Sequence, residues 1–159
     1  MLFYRIIGAL VLILSGVGGA YCMNQAATVS LAQIEGWIAF LRYVRVQVEC
    51  FALPLNDILR KCDPTLLASC GYEGKSPPET AEALLEGISI RDGAAESILR
   101  GFFDEFGKGY REEQVRSCEY HGALLLERRE TLSARLPERK KLHSTLCVAG
   151  ALAVVVLLL

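Results

Sequence analysis

Histidine, tryptophan and methionine are scarce in this chain: its 159 residues hold two, one and two of them. With His121 and His143 as the only imidazoles, proton-transfer chemistry would have to rest on carboxylates. Those carboxylates sit among arginines, as in LLLERRETLSARLPERKK (residues 124–141), the mixture of a solvated helix face. A basic excess is also missing. The formal net charge is −1, which excludes the electrostatic footprint of a nucleic-acid binder. The six cysteines include no Cys-x-x-Cys pair, and they are too sparse for a disulfide-stapled secreted scaffold. Cys118 and His121 lie three apart on one helical face, and Cys62 and Cys70 could join them. Without paired spacing, and with Cys118 on a helical seam, no metal site is assigned. No alternating strand pattern, internal repeat or low-complexity tract occurs.

Charge is absent from both ends. Apart from Arg5, no charged residue precedes Glu35 and none follows Lys141. Ile6–Met23 and Leu142–Leu159 are 18 residues each without Asp, Glu, Lys or Arg. At 1.5 Å per residue each spans about 27 Å, close to a hydrocarbon core of about 30 Å. Both are expected to be transmembrane helices, with small residues (Gly8, Gly16, Gly18 and Gly19; Ala149, Gly150, Ala151 and Ala153) that let helices approach closely in lipid. Gly18-Gly19-Ala20 also resembles a signal-peptidase site, and cleavage there is the alternative. Arg128, Arg129, Arg135, Arg139, Lys140 and Lys141 crowd the approach to the second span, so the positive-inside rule places the middle in the cytoplasm. The expected organisation is a transmembrane helix within residues 1–24, a cytoplasmic helical domain over 25–141 and a transmembrane helix over 142–159.

The middle reads as helices. Ile34, Trp37, Leu41, Val44, Val48 and Phe51 alternate by three and four, one apolar stripe with Leu31 and Ile38 beside it. Pro54 opens a short helix to residue 62, and Asp63 caps another from Pro64 to Ser69. Ser76 and Glu79 form a capping-box pattern with Pro77 at the first helical position, for a helix to about residue 86. A helix over 94–106 ends at Gly107-Lys108-Gly109. The longest begins at Arg111, carrying a seam of Val115, Cys118, Gly122, Leu125, Arg129, Leu132 and Leu136, with a kink or break expected at Pro137. The first and last long helices are expected to pack antiparallel. SCGYEGKS (Ser69–Ser76) ends like a phosphate-binding loop. It lacks the first glycine and a preceding strand, and Pro77-Pro78 removes two backbone donors, so a capped surface loop is expected.

With ALPLNDIL (Ala52–Leu59), Phe106-Gly107, Arg111, Glu112, Gln114, Leu136-Pro137 and Leu142–Leu146 following one another before the apolar tail, nearly the whole chain resembles, in order and spacing, the stage III sporulation protein AB family of endospore-forming bacteria. Phe106-Gly107 stands for the family's Leu-Gly pair, Arg111 and Glu112 for the turn after it, and Gln114 for a glutamine on the long helix. Leu136-Pro137 and Leu142-His143-Ser144-Thr145-Leu146 match the membrane approach, and ALPLNDIL (Ala52–Leu59) matches a Leu-Pro-Leu segment. Gly109-Tyr110 departs from the family's Ser/Thr-Asp and loses a capping carboxylate, which puts that helix cap in question.

The resemblance implies an all-α cytoplasmic bundle between two membrane helices, similar to the inner-membrane platform proteins of type II secretion and type IV pilus systems. It implies a non-enzymatic scaffold without cofactor, in the mother-cell membrane facing the forespore. Its partners would be the AA-type secretion ATPase and other membrane subunits of the same apparatus. The candidate contact residues are Leu53, Pro54, Leu55, Gly107, Arg111, Glu112 and Gln114. A homo-oligomer through the long helices stays open. The alternatives are a platform subunit of a pilus or secretion system, or a secreted helical adaptor with a cleaved signal.

Overall fold

In the computed structural model the backbone is described for residues 2–74 and 76–158, and side chains for residue 25 and residues 28–74 and 76–134. Within these limits the chain is all-α. Its helices are α1 (Leu2–Phe51), α2 (Leu55–Arg60), α3 (Pro64–Ser69), α4 (Ala81–Glu86), α5 (Gly93–Glu105) and α6 (Arg111–Leu158). An isolated antiparallel bridge joins Tyr72 and Ile88. Ser30–Thr131 form one compact unit, and Met1–Val29 with Leu132–Leu159 form another. The two expected membrane spans lie outside the described side chains, and among the described residues no helix is long and apolar enough to cross a membrane.

Within Ser30–Thr131 the chain makes four passes. The first is α1, whose stripe is sealed: Ile34, Trp37, Leu41, Val44 and Val48 are each at most 2% exposed. Phe40, off the stripe, is also fully buried, its ring edge-on to Trp37 at 5.5 Å. The last pass, α6, runs antiparallel to α1, as two ion pairs fix. Arg45 meets Glu119 at 2.9 Å and Glu35 meets Arg129 at 2.8 Å. Moving ten residues along α1 moves the partner ten residues back along α6, the register of an antiparallel pair.

The second pass is broken into α2 and α3, and α4 lies in an excursion whose ends meet at the Tyr72–Ile88 bridge. It returns along α1 because α1 offers a place for backbone to come close. A Cβ at Gly36 would collide with the Ser69 carbonyl, so only glycine admits α3 at that distance. One turn before Gly36, the buried amide of Gln33 donates to the Cys70 and Ser89 carbonyls, at 3.0 and 2.9 Å, and accepts from the Arg91 N–H at 3.1 Å. Three loop groups that α1 would otherwise bury without partners are thereby satisfied.

The third pass, α5, starts at Asp92, whose carboxylate accepts from the Ala95 N–H at 2.9 Å as an N-cap. It packs Ala95, Leu99 and Phe102 inward. Phe102 lies edge-on to His121 of α6 at 5.6 Å. His121 is buried and its Nδ1 is 2.9 Å from the Ser117 carbonyl, a histidine held by its own helix. Along the expected seam, Cys118 and Leu125 are buried while Val115, Gly122, Arg129 and Leu132 are half-buried. Leu136 lies outside the described side chains.

Several expectations are corrected. The fourth helix starts at Ala81 with Thr80 as its cap, through a 3.2 Å bond from the Ala83 N–H. Ser76 does not cap it, because Pro78 pushes Pro77 out of the helical region. Pro54 is the N-cap of α2, in an extended conformation, rather than its first helical residue. α6 is continuous across Pro137, so of the expected kink or break the break does not occur. Phe51, the last member of the α1 stripe, is 65% exposed instead of buried.

Candidate functional site

Four passes give the unit two ends. The chain enters and leaves it at Ser30 and Thr131, at the end where Glu35 meets Arg129. At the opposite end lie the two tight turns, Ala52–Pro54 between α1 and α2 and Phe106–Tyr110 between α5 and α6. Extending the α1–α6 register sets Phe51 level with Glu113. The turns flagged in the sequence, around Leu53-Pro54-Leu55 and around Gly107–Gln114, are thus brought to one end.

Each turn carries an unusual backbone. Ala52 has φ 51°, a left-handed conformation that costs a residue with a Cβ about 1–2 kcal/mol. It closes α1, its N–H bonded to the Val48 carbonyl at 3.1 Å. Gly107 has φ 87° with open space around it, so conformation rather than packing requires glycine there. The strain at Ala52 persists only where the surroundings enforce it.

The cap that Gly109-Tyr110 put in question exists, supplied from the other side. Glu113, at the third position of α6, accepts from the Tyr110 N–H at 2.9 Å. This is the reciprocal half of a capping box. Gln114 donates to the Gly109 carbonyl at 2.9 Å. Both side chains reach back and staple the turn. The sequence signal for this cap is not at Tyr110 itself but in the glutamate three residues on, Glu113.

Of the expected contact residues, Pro54, Gly107, Arg111 and Glu112 are exposed and Leu53, Leu55 and Gln114 are half-buried. None belongs to the core. Gln114 has a structural task in the turn, which sets it apart from Arg111 and Glu112. Beside the turn is an open cleft of about 420 Å³, bordered by Asp104, Glu105, Lys108, Glu113, Gln114 and Ser117. Its lining offers carboxylates, an ammonium, an amide and a hydroxyl, but neither imidazole nor thiol.

Among the described residues no group of three His, Cys, Asp or Glu side chains is placed to hold a metal ion. Of the described cysteines, Cys50 is exposed and Cys62, Cys70 and Cys118 are buried. Burial pushes the Cys62 thiol up to about 11 and the Cys70 and Cys118 thiols up to about 12, far from the thiolate a nucleophile or ligand requires. In the Gly-Lys-Ser loop, Lys75 lies outside the described residues, and the Tyr72 hydroxyl donates to the Ser76 carbonyl at 3.0 Å. No protein-family model, curated protein or solved structure matches the chain.

Proposed function

We propose that the chain is a non-enzymatic membrane scaffold of the stage III sporulation protein AB type. Its helical unit presents the turn end to the AA-type secretion ATPase of the mother cell–forespore apparatus. Ile6–Met23 and Leu142–Leu159 would anchor it as a two-pass protein with the unit in the cytoplasm. The observation that carries the reading is the convergence of both flagged turns on one end of the bundle. Among the described residues the buried polar side chains, Gln33 and His121, bond backbone carbonyls of their own fold, a structural task that suits a scaffold.

Arg111 and Glu112 are the contact candidates free of a structural role, being exposed and without an ion-pair partner among the described residues. Full-length protein should co-purify with the ATPase, and Arg111→Glu with Glu112→Lys should abolish the association. Nucleotide hydrolysis by the purified chain alone, or failure of the pair to associate, would overturn the proposal.

A further inference from the structure

We draw no further inference here: the strongest candidate, the open groove of about 250 Å³ between α1 and α6 lined by Glu35, Ile38, Ala39, Arg42, Leu126 and Arg129, mixes both signs of charge with apolar side chains, and nothing in the structure shows what covers it.

Discussion

Arg128 grips Asp92 with two parallel hydrogen bonds, Nε to Oδ1 at 2.9 Å and Nη2 to Oδ2 at 2.8 Å, across 36 residues of chain. The same Oδ1 caps α5 through the Ala95 N–H. One carboxylate therefore starts a helix and ties it to α6. The hydrogen bond from Arg128 leads the causes that hold the Asp92 carboxyl below its ordinary value, the Ala95 N–H adding to it and burial opposing.

Asp92→Ala should lower stability by roughly 1–2 kcal/mol, a lost cap with part of an ion pair added. Because the carboxyl value is lowered on folding, this contribution is complete above the ordinary carboxylate range. It drains away as the pH falls through the depressed value. Urea unfolding followed by Trp37 emission should show parent and variant differing at neutral pH and converging in acid. A difference unchanged down to strongly acidic pH would refute the role of the charge.

Ala52→Gly should stabilise the protein by about 1 kcal/mol, because it removes the Cβ penalty at φ 51°. Gly107→Ala should cost about the same, by imposing that penalty at φ 87°. Thermal unfolding of the two variants should move in opposite directions; movement in the same direction would count against the backbone argument.

Gln33→Leu preserves much of the side-chain volume while leaving the Cys70 and Ser89 carbonyls and the Arg91 N–H without their partner. A loss of roughly 2–3 kcal/mol is expected. Hydrogen exchange should quicken in residues 70–91 before it does in α5. Uniform acceleration throughout the unit would show that Gln33 is not the local fastening.

In a variant with Cys22 and Cys147 replaced by serine, Cys50 should react readily with a thiol reagent. Cys62, Cys70 and Cys118 should stay protected until unfolding, being buried and raised to about 11 or 12. Cys50 is therefore the position at which an impermeant reagent reports sidedness in intact cells. Its labelling from outside would overturn the proposed cytoplasmic placement.

Periodicity made the long elements legible. The stripe from Ile34 to Val48 is buried as its spacing predicts, and Asp63 caps α3 through the Thr65 N–H at 2.8 Å. The antiparallel pairing of α1 and α6 is present as expected. What escaped depends on partners distant in sequence or on steric detail. Nothing near Gln33 announces that groups 37 to 58 residues away will need its amide. Burial of Phe51 required a covering segment that periodicity cannot supply. Thr80 displaced Ser76 because two successive prolines cannot both enter a helix start. Of the candidate contact residues, sequence order identified the turns, but only the antiparallel register brings them to one end.

The shared exit of α1 and α6 has a mechanical consequence. A pull that separates the two flanking chains would load the Glu35–Arg129 pair first and Arg45–Glu119 only after it. The unit would therefore open like a zipper from its exit, one contact at a time, while its far end kept its shape until last.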